Sequence, residues 1–139
     1  MRSDVLNSNS GAFLQETVVT PNHQEIHVAD VTLNAIQDVG GVHVMMAADK
    51  TFTLPAVATG IEYTLVLGID LAATEYMRIA PNTNDKFIGG CNNAAGTDNK
   101  YLGITGAKKG ACLKLEYGSS VGWFITYQSA GNGTWAHES

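Results

Sequence analysis

Charge is the scarcest commodity in this chain. Only 15% of its 139 residues are Asp, Glu, Lys or Arg, where an ordinary soluble domain carries about 25%. So little charge cannot coat a whole isolated surface, which implies that part of it faces a partner rather than water. The formal charge of −5 also excludes the Lys/Arg excess that neutralises phosphates, so nucleic acid is not an expected partner. No run approaches the 18 or so apolar residues of a membrane span, and a membrane is not expected either. The opening "MRSDVLNSNSGAF" lacks the apolar stretch of a secretory signal, which predicts a chain that stays in the cytosol where it is made. Cysteine is limited to Cys91 and Cys112. With no secretory signal the pair is expected to be reduced rather than bridged.

Helical patterning is missing as well. "LAATEYM" could form one turn, but strong helix formers never recur at i, i+3, i+4 and i+7 over the length a stable helix needs. What fills the chain instead is valine, threonine, isoleucine and 15 glycines, with 45% of residues apolar, enough for a packed core.

Period-two alternation runs through the chain. "ETVVT" reads as a short strand stopped by Pro21. "EIHVADVTLNAI" alternates Ile26 and Val28, then Val31 and Leu33, with a phase slip near Asp30 that a β-bulge would produce. Val42, Val44 and Met46 alternate next, which predicts an outward His43 between them. "EYTLVLGI" sets Tyr63, Leu65 and Leu67 on one face and reads as a central strand. Met77 and Ile79, Phe87, "YLGIT", "GACLKLEYG" and "GWFITYQ" follow, separated by turns and by the Gly/Asn-rich stretch at 89–100. The expectation is an all-β, single-domain β-sandwich or jelly-roll-like barrel, with no internal repeat of fixed period. It consists of an irregular N-terminal arm at 1–14, a β-sandwich domain at 15–139, and a C-terminal tail at 129–139.

Catalytic constellations are absent from the sequence. There is no Gly-x-Ser-x-Gly elbow. "GITGAKKG" lacks the strand-to-helix setting of a phosphate loop, so Lys108 and Lys109 read as a solvated hairpin tip. Asp85 and Asp98 read as turn residues, not an acid pair facing across a cleft. His23 and His27 lie four apart, but on a strand that spacing separates them by about 13 Å, so the spacing predicts no metal site. Cys112, beside Leu113 and Leu115, reads as a core residue. No enzyme activity, cofactor or metal is expected.

Three segments carry a resemblance: "DKTFTLPAVATGIEYTLVL" at 49–67, "RIAPNTNDKFIGG" at 78–90 and "KKGACLKLEYGSSVGWFITYQSAGNGTW" at 108–135. Together they resemble a pattern common in bacteriophage virion proteins. The pattern is a strand closed by Leu-Pro, an Ala/Gly turn into a Tyr-x-Leu/Ile strand, an Ile-x-Pro…Asp-x-Ile-x-Gly unit, and a final strand, Gly/Ser turn and aromatic strand around a tryptophan. The matching positions are Leu54, Pro55, Gly60, Tyr63 and Leu65, then Ile79, Pro81, Asp85, Ile88 and Gly89, then Leu113, Leu115, Gly118, Trp123, Phe124 and Ile125.

The resemblance implies a structural protein of the head-decoration (capsid cement) type, made in the host bacterial cytoplasm. Such a protein sits on the capsid surface of the virion as a homotrimer and stabilises contacts of the major capsid protein. The alternative it implies is a tail-fibre, baseplate or carbohydrate-binding module that takes glycans through Tyr76, Tyr101 or Trp135. Val5, Leu6, Phe13 and Leu14 of the arm, and Trp135 beyond its Gly-Asn-Gly turn, are the expected interface residues. Trp135 is expected to reach a neighbouring subunit, so that truncation after Gln128 would weaken assembly more than folding.

Overall fold

The computed structural model describes residues 24–36, 38–58, 60–83, 85–89, 101–119 and 122–137. The arm with Val5, Leu6, Phe13 and Leu14, the "ETVVT" strand, Cys91 and Asp98 lie outside the described residues. Eleven strands make up the rest: β1 (Gln24–His27), β2 (Val31–Thr32), β3 (Val42–Met45), β4 (Lys50–Thr53), β5 (Glu62–Leu67), β6 (Tyr76–Ala80), β7 (Lys86–Ile88), β8 (Leu102–Thr105), β9 (Cys112–Ser119), β10 (Gly122–Ser129) and β11 (Thr134–His137). They form two sheets, one ordered β1-β3-β5-β9-β10-β7 and the other β11-β8-β6-β4-β2. The sheets pack face to face, and the expected β-sandwich is the architecture.

Strand direction is the surprise. In a meander or jelly roll neighbours run antiparallel, but here β1, β3 and β5 are mutually parallel, and so are β2, β4 and β6. The chain therefore alternates between the sheets as it advances, winding three coils before β8 to β11 close the sandwich through antiparallel pairs, with β10 also running parallel to β7. Register shows why no fixed period is visible in the sequence. Gln24 faces Val42, which faces Thr64, giving steps of 18 and 22 residues; Val31 faces Phe52, which faces Ile79, giving steps of 21 and 27. The coils are structural repeats of unequal length.

Each of the three coil passages from the first sheet to the second, β1 to β2, β3 to β4 and β5 to β6, turns on an aspartate whose side chain holds a backbone N–H further along. Asp30 accepts from Thr51 N at 2.9 Å, Asp49 from Tyr76 N at 3.1 Å, and Asp70 from Lys109 N at 2.9 Å. The phase slip at Asp30 is thus a corner where the chain changes sheets, not a bulge. A bulge does occur elsewhere: Lys114 pairs with Tyr127 but Leu115 with Ile125, leaving Thr126 unmatched. Asp49 adopts φ 60°, a left-handed conformation that Asp and Asn tolerate and most residues resist. Asp49→Asn is therefore expected to be nearly neutral, whereas Asp49→Ala loses both the acceptor and the tolerance and costs about 2 kcal/mol. Urea melts of the two variants check the ordering.

Between the sheets lies a core that includes Phe52, Tyr63, Leu65, Leu67, Met77, Ile79, Phe87, Leu113, Leu115 and Trp123, all fully buried. The inward phase of β5 and β6 is the one the sequence predicts, in β9 Leu113 and Leu115 rather than Cys112 face inward, and Trp123 and Phe124 point to opposite sides. In β3 the phase is inverted: His43 and Met45 face the core and are completely buried, while Val42, Val44 and Met46 take the outer side. Both phases of "VHVMM" are largely apolar, so alternation alone could not choose between them. Asp85 is also more than a turn residue, because its carboxylate is buried and accepts from Val57 N at 2.9 Å, pinning the loop that follows Pro55.

The C-terminal segment needs the largest correction. Residues 134–137 are no tail but β11, an edge strand of the second sheet paired with β8 from Thr134 opposite Thr105 to His137 opposite Leu102. Trp135 is 1% exposed, packs in the core, and donates its indole N–H to Ser129 O at 2.9 Å. It folds back onto its own domain, and burial there, not projection outward, is where the structure places it. Asn132, at φ 70°, and Gly131, at φ 52°, make the return turn.

Candidate functional site

Three features on the described residues can do chemistry or bind. The first lies at the β1 end of the first sheet. Parallel pairing sets Glu25 opposite His43 and His27 opposite Met45, all on the core-facing side. His27 Nε2 is 3.1 Å from His43 Nδ1, Glu25 Oε1 is 3.3 Å from the same nitrogen, and His27 Nε2 is 3.8 Å from Glu25 Oε1. Aromatic rings line the pair, with His27 edge-on to Phe52 at 5.6 Å and His43 to Tyr63 at 6.2 Å.

The loop between β2 and β3 completes this site. His43 Nε2 lies 2.9 Å from Asp38 O. A carbonyl only accepts, so Nε2 carries a proton and donates it, and Nδ1 is the ring atom that faces Glu25 and His27. Asp38 itself is held by Asn34 N, which donates to its carboxylate, and Tyr63 donates its hydroxyl to Asn34 O at 2.9 Å. Burial first, and the neighbouring His43 second, push the His27 imidazole below its ordinary 6.5, against the opposing pull of Glu25 and Asp38. Glu25 Oε1 is sealed from solvent and hydrogen-bonded to nothing among the described residues, while the Glu25 side chain as a whole is 45% exposed.

Burial, and then the Asp38 carboxylate, raise the Tyr63 phenol from 10.0 to about 12. The folded state favours the neutral phenol, so its contribution is fully present below pH 10 and is lost as pH rises toward 12. Two pH units correspond to about 2–3 kcal/mol. Tyr63→Phe is expected to flatten this alkaline loss relative to the parent, while costing about 1 kcal/mol at neutral pH through the missing hydrogen bond to Asn34. Denaturant melts of both proteins from pH 8 to 11.5 provide the comparison.

The second feature is a shallow groove of about 200 Å³ on the outer side of the second sheet, lined by residues including Tyr76, Arg78, Tyr101, Thr134 and His137. The Arg78 guanidinium sits 4.0 Å over the Tyr76 ring and 5.4 Å from that of Tyr101. Two of the three aromatics expected to stack on sugars are brought together here, and Trp135 is not among them.

The third is the outer side of the first sheet. Register aligns Ile26, Val44, Val66 and Cys112 in one row across β1, β3, β5 and β9. Val28 and Met46 extend it, and Ile26, Val28 and Met46 are 57%, 67% and 41% exposed. Cys112 is therefore an outer-side residue, half-buried, rather than the core residue its alternation suggested; burial pushes its thiol up and makes it a poor nucleophile. Beyond this row comes a charged strip, with Lys114 Nζ 3.4 Å from Glu62 and 3.9 Å from Glu116, and then exposed Phe124 and Tyr127. Lys108 and Lys109 are exposed at the turn between β8 and β9, as the sequence predicts.

Comparison with protein-family models, with curated proteins and with solved structures finds no match to this chain. Sequence reading missed the Glu25, His27 and His43 cluster because its members meet only through parallel register. The one signal available was a titratable residue breaking each of two short apolar strands, "EIHV" and "VHVM".

Proposed function

We propose that this chain is a non-enzymatic structural protein of a bacteriophage virion, of the head-decoration type. In this reading it binds the outer surface of the assembled capsid as a homotrimer and stabilises contacts between subunits of the major capsid protein. The observation that carries the reading is the apolar row on the outer side of the first sheet. Ile26, Val28 and Met46 stand in solvent beside Val44 and Val66, and among the described residues no element of the chain covers them. Exposed apolar side chains grouped on one sheet, ending at β1, the outermost strand of that sheet among the described residues, favour association over an isolated existence. The low charge of the chain and its resemblance to virion proteins point the same way. Purified chain added to capsids that lack it is expected to co-sediment at saturating stoichiometry and to raise their resistance to heat or chelator. Failure to bind would end the reading.

A second reading has its own observation. The Tyr76, Arg78 and Tyr101 groove brings two aromatic rings and a cation onto one open surface, the kind of platform on which a sugar ring stacks. The reading is then a tail-fibre, baseplate or carbohydrate-binding module of the virion. Binding on a glycan array that Tyr101→Ala removes would favour it.

A further inference from the structure

We propose that Glu25, His27 and His43 form a binding site for one divalent transition ion of the zinc class. The three candidate donor atoms are His27 Nε2, His43 Nδ1 and Glu25 Oε1, separated by 3.1, 3.3 and 3.8 Å. A triangle with those sides has a point about 2.0 Å from every corner, which matches zinc–imidazole and zinc–carboxylate bond lengths of about 2.0–2.2 Å. An ion there lies in or just above the plane of the three atoms and leaves room for a further ligand.

The chemistry of the donors agrees with the geometry. His43 Nε2–H donates to the Asp38 carbonyl, which leaves Nδ1 to supply the lone pair when the ring ligates as neutral imidazole; a ligating histidine held from behind by a backbone carbonyl is the usual supporting arrangement of such sites. Glu25 Oε1, sealed and without a hydrogen bond among the described residues, is a carboxylate oxygen aimed at two nitrogens that cannot both offer it a proton while neutral. A cation would take the place of the proton that His27 Nε2 shares with His43 Nδ1 and give Glu25 Oε1 the partner it lacks among the described residues. Two imidazoles with one carboxylate select a borderline-soft transition ion over Ca²⁺ or Mg²⁺, which prefer oxygen. The partly exposed Glu25 side chain marks the route by which an ion arrives.

The site has a structural consequence. Glu25 and His27 belong to β1, the outermost strand of its sheet among the described residues, and His43 to β3, so the ion would clamp the first coil onto the second.

The experiment is calorimetric titration of the full-length, EDTA-stripped chain with Zn²⁺ alone, paired with thermal melts and with Co²⁺ as a spectroscopic substitute. One equivalent of Zn²⁺ is expected to bind, to raise the melting temperature by about 5–10 °C at a hundredfold excess over Kd, and to be mimicked by Co²⁺ with the visible absorption of a low-coordinate site. Ca²⁺ and Mg²⁺ should do neither. Glu25→Gln, at a half-exposed position, is expected to melt like the stripped parent in EDTA, His27→Gln is compared with its own EDTA-stripped form, and both are expected to bind Zn²⁺ at least about 10- to 100-fold more weakly. His43→Ala removes a buried ring and serves only as a folding control. No uptake of Zn²⁺, Co²⁺ or Fe²⁺ by the parent would overturn the proposal, as would undiminished binding in both the Glu25 and His27 variants.

Discussion

Replacing Trp135 by alanine is expected to destabilise the folded chain by about 3–5 kcal/mol, the usual cost of deleting a large aromatic from a packed core. The side chain is 1% exposed and lies in the same core as Phe52, Met77 and Leu113. It also anchors β11, the last strand of the second sheet, whose other ties are the ladder to β8 and the turn at 131–133. With no indole to bury, that edge strand has little reason to stay docked. Trp135→Phe separates the two contributions: it keeps most of the apolar volume but loses the donor to Ser129 O, and should cost about 1–2 kcal/mol. Truncation after Gln128 removes Trp135 and the whole of β11, exposing the β8 edge, and is expected to yield protein that melts far below the parent or fails to accumulate. Urea unfolding followed by tryptophan fluorescence and by circular dichroism reads all three. A truncated chain as stable as the parent would show that β11 does not belong to the fold.

The earlier expectation for this segment erred for a definite reason. A Gly-Asn-Gly run after a strand is compatible both with a flexible tail and with a tight return, and the sequence does not say which. What decides it is the vacancy beside β8, a property of the assembled second sheet. The same limit applies to the His cluster. Within a strand, alternation is local and legible, so Tyr63, Leu65 and Leu67 or Met77 and Ile79 could be assigned to the core directly. Which strands become neighbours is not local, and parallel pairing joins residues such as Glu25 and His43, or Asp49 and Tyr76, that no short motif connects. The three corner aspartates, Asp30, Asp49 and Asp70, each closing an alternating stretch, were the nearest thing to a sequence trace of the coils. Hairpin pairing of β9 with β10 was legible because a short turn between two alternating strands leaves few other choices.

If the outer row of the first sheet is the capsid-facing surface, one charge placed there should abolish capsid binding without unfolding the protein. Ile26 and Met46 are the positions to use, because each is more than two-fifths in solvent and contributes little to the sandwich interior. Val44, only 6% exposed, would confuse folding with binding. A carboxylate at Ile26 buried against an apolar partner surface would have to be desolvated with no counter-ion. The expected weakening is about 30- to 1000-fold, the 2–4 kcal/mol characteristic of central interface positions, with the melting temperature of the free chain unchanged. Met46→Lys should act similarly, and the opposite sign of its charge distinguishes desolvation from simple repulsion by the capsid. Tyr101→Ala, on the outer side of the other sheet, should leave capsid affinity intact under the decoration reading and remove glycan binding under the alternative. Capsid binding by Ile26→Asp at parental affinity would move the interface off this surface altogether. The low charge of the chain would then need another partner to account for it.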